Sequence, residues 1–104
     1  MVDSTAALLA GLRDCTLLLK RVREGFWSEK LDQMVVTDAE QVSSEVLGEI
    51  LSWFGGMGSF NDVLISQANG HQILPDDENQ ANEELETLRN QIYEAATELH
   101  TRSA

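Results

Sequence analysis

Ser59 and Asp62 stand directly behind Gly55, Gly56 and Gly58 in the stretch GGMGSFND, residues 55–62, and His71, Asp76 and Asp77 come after them. Three kinds of chemistry use such residues. A glycine-rich loop opening a helix cradles an anion with its backbone N–H groups. A serine becomes a nucleophile when a base and an orienting acid stand in reach. Asp62, His71, Asp76 and Asp77 carry donor atoms for a metal. Each reading meets an obstacle. Anion loops recruit a lysine or arginine, and none occurs between Lys30 and Arg89. Neither GxxxxGK(S/T) nor GxGxxG after a strand is present. Ser59 and Asp62 have no histidine beside them, and the four possible ligands fit no metal spacing. Asp76 and Asp77 are accounted for as acids at the positive end of a helix. The expectation is a protein with no catalytic residue, no cofactor and no metal.

Two mutually compatible readings of the turn remain. In one it is structural: Gly55 or Gly56 ends a helix, Gly58 supplies a second positive φ, Ser59 caps the next segment, and Asn61 and Asp62 bond turn backbone. In the other, the turn presents Trp53, Phe54, Met57 and Phe60 as exposed anchors for a protein partner. On that reading the partner-binding residues are Trp53, Met57, Phe60, Asp62, Glu45 and Glu49.

Charge narrows the partner. The net charge is −11, from 18 acids against 7 bases. The imbalance lies after residue 30, where 14 acids face only Arg89 and Arg102; residues 1–30 are nearly neutral. Nucleic acid and anionic membrane both need clustered Lys and Arg, so both are expected to be excluded. A basic protein is favoured electrostatically. Cys15 is the single cysteine; with no second thiol or nearby histidine it reads as a small buried apolar group in a reducing compartment. The apolar AALLAGL is short, lacks a preceding base and runs into RDC, so the cytoplasm is the expected location.

The elements that position these residues are helical. Residues 1–104 read as one domain, long enough to bury roughly 65% of the unfolded surface without staples. Leu8, Leu12, Cys15, Leu19 and Val22 predict a helix over 4–24, widened by Leu9, Leu17 and Leu18 and ended by Gly25 with φ > 0. Gly11 lies inside it at a cost of roughly 1 kcal/mol relative to alanine, and its size would allow a close helix crossing. Phe26 and Trp27 cover one end of the core, and a short helix spans about 29–34. Thr37 and Glu40 form a capping box for a second long helix, 37–54, with Val42, Val46, Ile50 and Trp53 on one face. Residues 59–67 read as either a short helix or a buried extended segment, and Asn69-Gly70 as a turn. A last helix begins near Pro75–Glu78 and reaches about His100. Its seam of Ala81, Leu85, Leu88, Ile92, Ala95 and Leu99 is heptad-like and would also serve to pair two copies. The fold class is all-α: an antiparallel bundle of three long helices plus a short one.

WFGGMGSFNDVLI at 53–65 resembles the GGMGS-(Leu/Phe)-Asn-Asp block of a family of small bacterial proteins of unknown function. LETLRNQIYEAATEL at 85–99 is similar to the helix that comes after the block there, so the resemblance covers about residues 39–99. It implies an all-α cytoplasmic bacterial protein and supplies no activity, cofactor or catalytic residue. By analogy of size and charge, the expected function is a non-enzymatic acidic protein-binding module, an immunity-type inhibitor of a basic toxin. The alternative is a dimeric structural or regulatory adaptor.

Overall fold

A computed structural model describes residues 4–34, 42–55 and 59–103. Among them are four helices, α1 Ser4–Arg21, α2 Gly25–Met34, α3 Ser44–Ser52 and α4 Glu78–Ser103, and three single 3-10 turns. No strand occurs among the described residues, and no helix is long and apolar enough to cross a membrane.

The junction of α1 and α2 departs from expectation. Gly25 does not end α1; it opens α2, and its φ is not positive. The left-handed residue is Arg23, at φ 61°. Arg23 N–H donates to the Lys20 carbonyl and Glu24 N–H to the Leu19 carbonyl at 2.8 Å, the paired bonds that close a helix around a left-handed residue. Glu24 then caps α2, its carboxylate accepting from Trp27 N–H at 2.8 Å. Two adjacent residues thus end one helix and start the next, so the helices pack as a tight pair.

The first described helical residue of α3 is Ser44, and its cap is Ser43, whose hydroxyl accepts from Val46 N–H at 3.3 Å. The predicted capping box at Thr37 and Glu40 lies outside the described residues. The buried face of α3 is Leu47 and Ile50, continued by Trp53 at its end, with Val42 and Val46 only partly covered.

Pro75 opens a 3-10 turn that feeds α4, as its fixed φ favours. The seam Ala81, Leu85, Leu88, Ile92 and Ala95 is buried. It faces inward, against Leu8, Leu12, Cys15 and Leu19 of α1 in one core, so the stripe that suggested pairing of two copies is covered within the chain. α1 and α4 run in opposite directions: Ser4 bonds Glu98, the Ala7 carbonyl accepts from Gln91, and Arg21 pairs with Glu84. They approach closely at Gly11, where an added Cβ would sit 3.0 Å from Ile92 Cγ1. Leu17, assigned to the buried stripe of α1, is instead 61% exposed.

Between α3 and α4, a 3-10 turn at Phe60–Asp62 passes into extended chain. The segment thus begins with a single turn and continues extended, but Ser59 makes no side-chain cap there, contrary to expectation, and of the extended residues Ile65 is buried while Leu64 is exposed. Gly70 takes the left-handed conformation that Asn69-Gly70 signals.

Candidate functional site

The residues flanking the glycine stretch are bonded to each other: Phe60 N–H donates to the Trp53 carbonyl at 2.8 Å. Gly55 has φ 124°, a conformation that strains any other residue. The base that the turn lacks in sequence arrives from α4. Arg89 Nη1 donates to the carbonyls of Phe60 at 2.9 Å, Val63 at 3.0 Å and Asn61 at 3.3 Å. Its guanidinium carbon lies 5.9 Å from the Phe60 ring centre. Burial lowers the Arg89 pKa, against the opposing fields of Cys15, Glu86 and Asp62. The cation is thus committed to carbonyl oxygens and organises the turn, where a phosphate loop would aim it at a ligand.

The aromatic residues are likewise committed. Trp53 is 2% exposed and Phe60 0%. Phe60 packs on Trp27 at 4.8 Å between ring centres and edge-on to Trp53 at 6.3 Å. Trp53 and Phe60 are therefore core residues, which corrects their assignment as exposed anchors. The sequence presents aromatic side chains beside glycines, and that pattern serves a folded-back turn as well as an interface. Met57 lies outside the described residues. Glu45, Glu49 and Asp62 are exposed; Glu49 also accepts from Trp53 Nε1 at 3.4 Å. The most exposed aromatic is Phe26, which lies under Lys30 Nζ at 5.6 Å.

His71 is buried, and both of its ring nitrogens are engaged. Nδ1 accepts from Ser66 N–H at 3.0 Å, and Nε2 lies 3.2 Å from Glu24 Oε1. An acceptor Nδ1 fixes the tautomer with the proton on Nε2, donating to the carboxylate. This histidine pins the loop 66–72 to the α1–α2 junction, helped by Gln72 N–H donating to the Val22 carbonyl. Neither ring-nitrogen partner is Ser59. Among the described residues no group of three His, Cys, Asp or Glu side chains could hold a metal ion. Ser59 Oγ is buried and has no hydrogen-bond partner among the described residues; Lys30 borders the same small hollow without bonding to it. Cys15 is fully buried, and desolvation pushes its thiol up to about 12, so it is a neutral packing group at physiological pH.

Sequence reasoning missed Arg89 and Asn82 as organisers of the loop. Asn82 accepts from Ile65 N–H at 2.8 Å and donates to the Ile65 carbonyl at 2.9 Å, pairing with that residue as a neighbouring strand would. The available signal was a polar amide placed next to a buried seam residue, Ala81. Sequence reasoning also missed a groove between α1 and α4. This groove holds three adjacent hollows of about 330, 470 and 620 Å³; the first two share Arg21 and Glu84 on their borders, and the last two share Thr87.

No curated protein and no solved structure matches the chain. The model of a family described as Domain of unknown function (DUF6966) matches residues 20–74. That span takes in the α1–α2 junction, α3 and the GGMGSFND block, and it stops short of α4, which the resemblance over 39–99 had included. The expectation of an unknown-function family holds at that level. With over half of its 104 residues matched, the chain belongs to the Domain of unknown function (DUF6966) family.

Proposed function

We propose that this protein is a non-enzymatic, acidic binding module for a basic protein partner, acting in the cytoplasm as an immunity-type inhibitor of a basic bacterial toxin. The observation that carries the reading is unneutralised exposed charge. Asp76, Asp77, Glu83 and Glu94 lie exposed on α4 and the turn before it, and none has an ion pair among the described residues. Glu45 and Glu49 add two exposed acids on α3. Unpaired surface acids repel one another, and a basic partner relieves that repulsion while its approach is steered by the same field. The commitment of His71, Cys15 and Arg89 to structural roles supports the non-enzymatic part. The dimeric-adaptor alternative rested on a seam that the chain itself covers.

Stopped-flow association of the purified protein with the product of the gene beside its own tests the reading. The on-rate is expected to fall roughly tenfold between 50 and 300 mM salt as screening shortens from about 14 Å to about 6 Å. A salt-independent on-rate, or no association, overturns it.

A further inference from the structure

The groove between α1 and α4 has a chemistry of its own. Its wall on α1 is a stripe at helical spacing, Ser4, Ala7, Asp14, Leu17, Leu18 and Arg21. The facing wall runs the opposite way, from Asp77 in the turn before α4 through Glu84 and Thr87 to Glu94 and Glu98 of α4. The three hollows lie in a row along this groove, neighbours sharing wall residues, over a length of about 27 Å at 1.5 Å per residue for the 18 residues of α1; we term this row the channel.

Two hollows carry apolar footholds. The middle one is bordered by Leu17, 61% exposed, with Leu18 and Leu88 beneath. The one nearest the α1 C-terminus is bordered by Leu74, 68% exposed, with Val22 and Ile73 beside it. Of the five large apolar side chains most exposed among the described residues, two thus line one channel. The charge around them is mostly negative, although Glu84 is paired with Arg21 and Glu98 with Arg102. Five acids, Asp14, Asp77, Glu84, Glu94 and Glu98, line the channel against one base, Arg21. Arg21 is already paired with Glu84, at 3.3 Å in an exposed bridge, and an incoming cation can take its place at little cost.

We propose that this channel seats an amphipathic helix of the partner, with leucine-like side chains entering beside Leu17 and Leu74 and lysine or arginine side chains meeting Asp14, Asp77 and Glu94. The assignment rests on the basic-partner reading above and deepens it. A helix laid in a groove between two helices completes a bundle, and apolar positions spaced three and four apart would reach both footholds from one face. The predominantly acidic rim selects against an acidic helix.

The probe is a synthetic leucine/lysine peptide of about 18 residues, long enough as a helix to fill the channel. Its control is a peptide of the same composition, reordered to destroy the apolar face. Binding is followed by amide chemical shifts at 50 mM salt. Shifts are expected at Ala7, Asp14, Leu17, Thr87 and Gln91, with the reordered peptide binding about tenfold more weakly. Leu17→Ser, at an exposed position the fold does not need, is expected to weaken the amphipathic peptide about tenfold, while Glu45→Gln with Glu49→Gln on α3 leaves it within twofold. Shifts that map to α3, equal binding of the two peptides, or an unaffected Leu17→Ser variant overturn the groove and leave the basic-partner reading standing. Failure of both peptides to bind counts against both readings. Self-association of the protein that Leu17→Ser abolishes assigns the channel to a second copy and overturns the proposal.

Discussion

Gly11→Ala and Gly48→Ala make the same chemical change in two helix interiors, and the structure gives them opposite signs. Alanine in place of glycine inside a helix gains about 1 kcal/mol from backbone entropy and helix propensity. At Gly48 no atom of the described residues lies within 4 Å of the added methyl group, so the expected result is a net gain of about 0.5–1 kcal/mol. At Gly11 the new methyl meets Ile92 Cγ1 at 3.0 Å and Gln91 Nε2 at 3.4 Å. Neither neighbour yields easily. Ile92 is fully buried, and the Gln91 amide is held by the Ala7 carbonyl at 2.8 Å. Overpacking of this kind costs about 1–3 kcal/mol. The sum at Gly11 is a loss of about 1 kcal/mol, so the two variants should differ by about 2 kcal/mol. Urea unfolding followed by far-ultraviolet circular dichroism measures both against the parent, with unchanged m-values as the sign that the unfolded state is unaltered. In thermal melts the pair should straddle the parent, separated by about 10 °C. A Gly11→Ala variant stabilised as much as Gly48→Ala would refute the close approach of α1 to α4. It would also remove the walls of the groove between them.

Three further outcomes rest on single residues. Asn82→Ala strands both backbone groups of the buried Ile65 and should cost about 2–4 kcal/mol in urea unfolding; a change under about 0.5 kcal/mol would show that the pairing is not needed. Arg23→Gly removes a left-handed strain of about 1 kcal/mol, partly offset by glycine's extra unfolded freedom, so the melt should show a net gain of about 0.5 kcal/mol; a loss would mean that the arginine stem contributes more than the strain costs. Cys15 should resist alkylation at pH 8 until the chain unfolds. Its folded pKa is raised from 9.0 to about 12. The stability it contributes is therefore complete below pH 9 and is lost as pH rises towards 12, at up to about 1.4 kcal/mol per pH unit. The difference in stability between the parent and Cys15→Ala should narrow over that range, and a constant difference would contradict the shift.

Periodicity made the helices legible, and chain punctuation made them less so. The stripes Leu8–Leu12–Cys15–Leu19 and Leu85–Leu88–Ile92 are buried as their spacing requires, because a two-sided core needs apolar residues every three or four positions. The boundary at residues 22–25 misled. Glycine is the usual left-handed terminator, yet Arg23 takes that role, and the bonds from Arg23 and Glu24 back to Lys20 and Leu19 hold it there. Glu24 carries no motif in the sequence. Its tasks of capping Trp27 N–H and meeting His71 depend on a loop returning from 47 positions away, and no local pattern records that. The same holds at the turn. Glycines beside Trp53 and Phe60 are equally consistent with display and with burial, and only the arrival of Arg89 from α4 decides for burial.

The family match and the proposed docking surface divide the chain differently, and the division bears on what family membership means. Residues 20–74 hold the aromatic cluster of Trp27, Trp53 and Phe60, and the junction at Glu24. These features build the interior. The channel draws on residues mostly outside that span: Ala7, Asp14 and Leu17 before it, Asp77, Glu84, Thr87 and Glu94 after it, with Arg21, Ile73 and Leu74 just inside its ends. A scaffold fixed by buried aromatics tolerates wide change on a solvent-facing channel, because Asp14, Leu17 and Glu94 are exposed and contribute little to the core. Partner choice would then be set by the exposed residues on the two helix walls, and a relative with the same interior but a basic or apolar channel should not bind the same helix. Exchanging Asp14, Asp77 and Glu94 for lysine tests the separation directly. The fold should survive with stability altered by about 1 kcal/mol or less, while the cationic peptide is repelled; if unfolding accompanies the loss of binding, scaffold and surface are not independent.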